Sequence, residues 1–72
     1  MHYFFYLLDD IKEKLLWASE YGKIDIVRDI LMNDPSLVNS ADEDGYTPLH
    51  RAAYKNYPEI IQVTIIVFLL KK

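Results

Sequence analysis

The residues of this sequence best suited to chemistry lie together between positions 42 and 50, in the run DEDGYTPLH. Two aspartates followed by Gly45 resemble part of a calcium-binding loop. Thr47 lies three residues before His50 with carboxylates close by, so a nucleophile and its general base form a second interpretation. The third is a structural turn, because a threonine followed by a proline suits the first turn of a helix.

The spacing argues against the metal and the catalytic interpretations. In the register of an EF-hand loop, Ser40 would be the first ligand, and Arg51 would stand where the loop needs a bidentate glutamate. A nucleophile needs an orienting third group inside a cleft, and so short a chain offers no evident cleft. His2 has no partner at ligand spacing. We therefore predict no catalytic residue, no metal ligand and no cofactor, and a protein that is not an enzyme.

Length and composition narrow the function further. A chain of 72 residues makes one small domain at most, and the absence of cysteine excludes disulfides and thiolate metal sites. The net charge of -3 and the scattered basic residues argue against direct nucleic-acid binding. The apolar runs are shorter than the roughly 20 residues that a transmembrane helix needs, so we predict no transmembrane span. We expect a cytoplasmic or nuclear protein.

Capping residues and apolar periodicity predict four helices, at residues 11–21, 25–32, 48–55 and 58–66. Asp10 and Thr47 are the candidate N-caps, and Pro48 suits the first helical position, where no N–H donor is needed. Asn56 can end the third helix in a left-handed conformation. The sequence therefore predicts an all-α fold with two helix pairs.

The two helix pairs are copies of one pattern. A shift of 34 residues superimposes small, turn-forming and apolar residues of the first pair on similar residues of the second. The matched positions are Leu15 and Leu49, Ala18 and Ala52, Ser19 and Ala53, Gly22 and Asn56, Asp25 and Glu59, Ile26 and Ile60, Val27 and Ile61, and Leu31 and Ile65. A repeat of this length is typical of solenoid proteins.

The second copy carries a specific signature. Residues 42–53, DEDGYTPLHRAA, resemble the ankyrin-repeat pattern D-x-x-G-x-T-P-L-H-x-A-A, and the first copy is a degenerate version of it. The resemblance implies helix–turn–helix repeats stacked in a short solenoid, no enzymatic activity and binding of protein partners. It also implies that His50 hydrogen-bonds the turn at Thr47. Small Ala52 and Ala53 are expected to let the helices of a repeat approach closely.

The resemblance also indicates where a partner would bind. Ankyrin repeats use the loop tip and the exposed side of the first helix of each repeat as a concave binding face. Carried over to this sequence, the face comprises Glu20, Tyr21, Glu43, Asp44, Tyr46, Tyr54 and Lys55. Tyrosines beside charges suit an interface, because they bring a large rigid area and a polar tip. The alternative is a solvated face with incidental tyrosines.

Both ends of the chain depart from the repeat pattern. Residues 1–10 form an apolar N-terminal segment, and residues 67–72 form an apolar and basic tail where the pattern expects a polar turn. Between them we predict two repeats, 11–44 and 45–66, the second of them incomplete. Repeat arrays normally need about three units with polar terminal caps. The chain therefore resembles an array truncated after its second repeat.

Three functions remain open at this point. The leading one is a non-enzymatic protein–protein interaction module of ankyrin type, such as a regulatory adaptor for a protein partner. The second is a truncated or alternatively ended product whose binding activity is lost or interferes with that of a longer protein. The third is a membrane-associated peptide held by its apolar ends. The run from Val63 to Leu70 is β-branched and uncharged, so self-association through it is a further prediction.

Overall fold

The computed structural model describes residues 10–71. They form four α-helices and one short 3-10 helix, in the order α1 (Ile11–Glu20), α2 (Ile24–Asn33), the 3-10 helix (Pro35–Asn39), α3 (Pro48–Lys55) and α4 (Pro58–Leu70). Residues 10–71 include no strand, so the all-α prediction is confirmed. The first three helices match their predicted bounds to within one residue at each end. The predicted N-terminal segment, apart from Asp10, lies outside the described residues, as do His2 and Lys72.

The fourth helix is longer than predicted. The sequence predicted an end at residue 66, whereas α4 continues to Leu70 and ends where Lys71 adopts an extended conformation. No glycine, and no proline after Pro58, interrupts this stretch, so nothing local stops the helix. No helix of the described residues is long and apolar enough to cross a membrane.

Side-chain caps begin two of the helices as predicted. The Asp10 carboxylate accepts a hydrogen bond from the Glu13 N–H at 3.1 Å. Thr47 Oγ1 accepts from the His50 N–H at 3.3 Å, and His50 Nδ1 accepts from the Thr47 N–H at 3.0 Å. This reciprocal pair is a capping box, which satisfies backbone donors that the first helical turn leaves free. Pro48 follows at the first helical position.

The first helix of each pair ends by the same device. Gly22 and Asn56, which the repeat superimposes, both have positive φ angles, of 74° and 62°. The left-handed residue turns the chain so that Lys23 N–H donates to the Ala18 carbonyl, and one repeat later Tyr57 N–H donates to the Ala52 carbonyl. These bonds satisfy carbonyls at the helix end. The left-handed conformation predicted for Asn56 is confirmed.

The core lies where the two helix pairs stack. Helix α1 packs on α3, and α2 packs on α4, while the 3-10 helix closes one side of the core. The buried cluster takes residues from every element and consists of Leu15, Ala18, Val27, Leu31, Val38, Ala52 and Ile60. Full burial of a leucine, isoleucine or valine side chain contributes about 1.5–3 kcal/mol. The apolar contacts between the pairs are therefore the main source of stability.

Two hydroxyl groups are buried in this interior, and each of them makes a hydrogen bond. Ser19 Oγ donates to the Leu15 carbonyl, and Thr64 Oγ1 donates to the Ile61 carbonyl, each at 2.9 Å. Thr64 stands where the repeat pattern expects an apolar side chain, yet it is fully buried. Its hydrogen bond along the helix removes most of the penalty of burying a hydroxyl.

The second helix pair leaves exposed several positions that the first pair buries. Leu15 and Leu31 have no exposed surface, whereas their repeat equivalents Leu49 and Ile65 are 37% and 41% exposed. Ala53 is exposed too, although its equivalent Ser19 is buried. The expectation that Ala53 lets the helices of its repeat approach closely is therefore wrong, because its side chain is exposed rather than packed between them. We call the exposed apolar surface formed by Leu49, Ala53, Ile65, Ile66, Phe68, Leu69 and Leu70 the open face.

The glycine turns give a stability prediction. Gly22 and Gly45 both have positive φ angles, but a Cβ at Gly22 would lie 3.0 Å from the Tyr57 ring, whereas a Cβ at Gly45 would meet nothing within 4 Å. Each change to alanine should lower the free energy of unfolding by about 1–2 kcal/mol through backbone strain. Gly22→Ala should lower it further, because the Tyr57 ring must move. Urea unfolding of both variants measures the difference, and an equal or larger loss for Gly45→Ala would contradict the packing at Gly22.

Candidate functional site

An open cavity of about 570 Å³ lies between the two helix pairs and the loop that precedes α3. Helix α1, the loop and α3 all contribute side chains to it, and we call it the groove. Its lining comprises Glu20, Asp42, Tyr46, His50, Arg51, Tyr54 and Lys55. Carboxylates, cations and aromatic rings therefore meet in one depression.

Arg51 holds the three parts of the groove together. Its Nη1 atom lies 2.7 Å from Glu20 Oε1 on α1, and its Nη2 atom lies 2.7 Å from Asp42 Oδ2 in the loop. All three side chains are partly buried. Charge-assisted hydrogen bonds of this length are stronger than neutral ones. A single guanidinium on α3 thus fixes the positions of the first repeat and of the loop relative to each other.

Asp42 organises the loop itself. Its Oδ1 atom accepts hydrogen bonds from the Asp44 N–H at 2.9 Å and from the Tyr46 N–H at 3.0 Å. The Asp42 N–H donates to the Tyr46 carbonyl, which closes the turn. The Tyr46 N–H and the Arg51 guanidinium lower the pKa of Asp42 below its ordinary value of 3.8. Asp42 therefore has a structural role, since protein groups bind both of its oxygens.

The threonine and histidine that could have formed a catalytic pair form the helix cap instead. A backbone N–H can only donate, so the bond from Thr47 N–H requires His50 Nδ1 to be an acceptor. Thr47 Oγ1 in turn accepts from the His50 N–H. The prediction that His50 hydrogen-bonds this turn is confirmed. The His50 ring also makes an edge contact with the Tyr46 ring, with centroids 5.7 Å apart.

Aromatic side chains are unusually accessible around the groove. Tyr54 is 88% exposed, and Tyr21 and Tyr46 are each slightly more than half exposed. The Trp17 and Tyr21 rings lie 5.8 Å apart along α1. The Lys55 ammonium lies 5.9 Å from the centre of the Tyr21 ring, within the range of a cation–π contact. Large exposed rings of this kind are the side chains most enriched at protein interfaces.

The structure brings together most, but not all, of the residues predicted for the partner face. Four of them line the groove, and Tyr21 borders it through its contact with Lys55. Glu43 and Asp44 are exposed in the turn of the loop and are not part of the lining. The four lining residues are Glu20, Tyr46, Tyr54 and Lys55.

Sequence reasoning missed three residues of the groove, namely Asp42, His50 and Arg51. Arg51 could have been found, because it lies three and four residues before Tyr54 and Lys55 and so shares their side of α3. Its contact with Glu20 could not have been found, since Glu20 is 31 residues away along the chain.

Comparisons with known proteins agree with this architecture. The family model described as ankyrin repeats (many copies) matches residues 15–63. The chain belongs to the ankyrin repeat family. Ankyrin repeats are protein–protein interaction modules and are in general non-enzymatic. No solved structure matches the chain.

Curated relatives of this chain are much longer than the chain itself. It is 46% identical over 55 residues to ankyrin repeat domain-containing protein 49 of Drosophila melanogaster. The aligned residues make up 76% of this chain and 26% of that protein. The protein of the same name from Homo sapiens is 46% identical over 56 residues, covering 78% of this chain and 23% of the relative. A more distant relative is human transient receptor potential cation channel subfamily A member 1, at 37% identity over 58 residues, 5% of its length. The chain thus spans about a quarter of its nearer relatives.

The Asp42 cluster gives a prediction about acid stability. Because folding lowers the pKa of Asp42, its ionised form stabilises the fold at pH values above 3.8, and this contribution is lost as the pH falls through the lower folded value. Asp42→Asn should therefore reduce stability at neutral pH and flatten the loss of stability as the pH falls below 3.8. Asp29→Asn, which removes an exposed carboxylate on α2, is the matched control. Urea unfolding across this pH range measures both, and an acid limb as steep in Asp42→Asn as in the wild type would contradict the assignment.

Proposed function

We propose that this chain binds a protein partner through the groove and the exposed tyrosines around it. The groove supplies an open depression of about 570 Å³ lined by charged and aromatic side chains, and membership of a family of interaction modules supports its use for protein binding. We assign the chain no catalytic step. A role as a regulatory adaptor in the cytoplasm or nucleus is part of the same proposal.

The observation that carries the proposal is that Tyr21, Tyr46 and Tyr54 are exposed around the ion pairs of Arg51. A tyrosine brings a large contact area with few rotatable bonds, so little conformational entropy is lost when it is covered. The bonds from Arg51 to Glu20 and Asp42 already hold the surrounding side chains in place. A partner would therefore meet an ordered surface, which lowers the free-energy cost of binding.

The proposal predicts which side chains carry the affinity. Tyr54→Ala and Tyr46→Ala should each weaken a partner by about tenfold or more, the loss typical of a central interface residue. Both side chains are largely exposed, so helicity and unfolding midpoint should change little. The partner is found by comparing proteins retained by the wild type with those retained by Tyr54→Ala, and its dissociation constant is then measured with purified components.

Met32→Ala is the matched control, because Met32 is a large exposed side chain on α2 that does not line the groove. It should leave the dissociation constant unchanged. A purified partner whose affinity survives both tyrosine changes would show that binding uses another surface.

The open face supports a second candidate, which is self-association. Three of its side chains, Leu49, Ala53 and Ile65, occupy positions whose equivalents in the first repeat are buried, as the contrast between Leu31 and Ile65 shows. Within the predicted run from Val63 to Leu70, only part is available: Thr64 is buried, and Val63 and Val67 pack against the core. The surface for association is therefore formed by Ile65, Ile66 and Phe68–Leu70, together with Leu49.

Light scattering tests this second candidate. At high micromolar concentration, the wild-type chain should form dimers or larger species. The free energy gained by burying several apolar side chains of this size should exceed the cost of the translational and rotational freedom lost on association. Ile66→Lys combined with Phe68→Asp should give a monomer with unchanged helicity. Met32→Asp removes an exposed apolar side chain outside the open face and should not change the mass. A soluble wild-type monomer under these conditions would refute the candidate.

A further inference from the structure

We infer that the groove receives a cationic side chain, arginine foremost, from a basic segment of the partner. The inference rests on the proposed function, because it names the chemistry of the ligand for the same surface. Three features support it: a carboxylate oxygen of the groove that accepts no hydrogen bond from residues 10–71, exposed aromatic rings, and an excess of negative charge on the loop tip beside the groove.

The carboxylate oxygen belongs to Glu20. Its Oε1 atom accepts from Arg51 at 2.7 Å, whereas no group of residues 10–71 donates a hydrogen bond to Oε2. The side chain is one-third exposed, and Glu20 lines the groove. Asp42 offers no such atom, because both of its oxygens already accept hydrogen bonds. Of the two carboxylates that line the groove, Glu20 is therefore the one with an oxygen left for a donor from outside.

The aromatic faces lie on the same cavity. Tyr46 and Tyr54 line the groove together with Glu20, and most of the Tyr54 surface is accessible. A cation over a tyrosine ring is attracted to its negative face, and the chain already makes such a contact between Lys55 and Tyr21. A guanidinium suits the groove better than an ammonium, because it stacks on a ring while donating to a carboxylate in its own plane.

The charge around the groove also favours a basic ligand. With histidine counted as neutral, the groove and the adjacent loop tip carry two more negative than positive charges, from Glu20, Asp42, Glu43 and Asp44 against Arg51 and Lys55. Arg51 is satisfied by its two carboxylate partners, so it offers little to an acidic ligand. The exposed carboxylates at the loop tip would speed the approach of a basic segment, as rim charges do.

The test uses peptides as defined probes. Random 12-residue peptides displayed on phage are selected against the full chain. An enriched peptide is then synthesised with its arginine, with lysine and with neutral citrulline in the same position. We expect enriched peptides to carry arginine beside apolar residues. Replacing arginine by citrulline should weaken binding by about tenfold, in keeping with the loss of a hydrogen bond between charged groups, and replacement by lysine should weaken it less.

Variants of the chain locate the contact. Glu20→Gln keeps an oxygen that can accept from Arg51 but removes the charge, so it should weaken the arginine peptide about tenfold and the citrulline peptide hardly at all. Glu43→Lys should slow association of the arginine peptide and reduce its dependence on salt. Asp29→Asn removes the same charge as Glu20→Gln at an exposed site on α2, and it should change neither peptide's affinity. Circular dichroism confirms that each variant is folded.

The outcomes separate this inference from the proposed function. If arginine and citrulline peptides bind equally well, yet Tyr46→Ala and Tyr54→Ala weaken both, the groove binds proteins but does not select a cation, and only the inference fails. If no peptide is enriched on the folded chain, or if binding ignores the tyrosines, the inference and the proposed function fail together. A tenfold preference for arginine that disappears in Glu20→Gln supports both.

Discussion

Neither helix pair of this chain can bury its apolar side alone, and the rest of the structure follows from that constraint. Leu15 and Leu31 are fully buried only because α3 and α4 cover them, and the core takes residues from both pairs. Stacking also places the loop before α3 beside α1, which creates the groove. The same constraint leaves Leu49 and Ile65 exposed, because the layer that would cover them is not among residues 10–71. The groove and the open face are thus two results of the same stacking of helix pairs.

Within that stack, Arg51 fixes the positions of α1 and of the loop before α3 relative to each other. Ion pairs near a protein surface contribute little net stability, typically about 0–1 kcal/mol, so the main effect of its two 2.7 Å contacts is orientation. One carboxylate belongs to the end of α1, and the other is the centre of the loop's hydrogen bonds. Consequently the loop that carries Tyr46 has a fixed position relative to α1 and α3. The positive charge of Arg51 also offsets part of the negative charge of Glu20 and Asp42, and its bond to Glu20 uses only the Oε1 atom.

The run DEDGYTPLH shows how residue types can suggest chemistry that the geometry does not use. An aspartate, a threonine and a histidine within nine residues are compatible with a metal loop or a nucleophile and base. In the structure these side chains bind local backbone groups instead: Asp42 Oδ1 binds the turn, and Thr47 and His50 cap α3. What these bonds supply is a rigid loop that displays Tyr46 and the acidic tip. The run therefore contributes Asp42, Tyr46 and His50 to the lining of the groove.

The sequence by itself determined the local structure and the family. Caps at Asp10 and Thr47, left-handed turns at Gly22 and Asn56, and the 34-residue repeat all depend on neighbouring residues, and the ankyrin signature follows from the same short-range pattern. Only the tertiary structure decided which side chains meet across the repeats. The bonds from Arg51 join residues 31 and 9 positions away, and the exposure of Ala53 depends on what covers its side of α3. Such contacts depend on how the helix pairs stack, and a periodicity read along one helix does not contain that information.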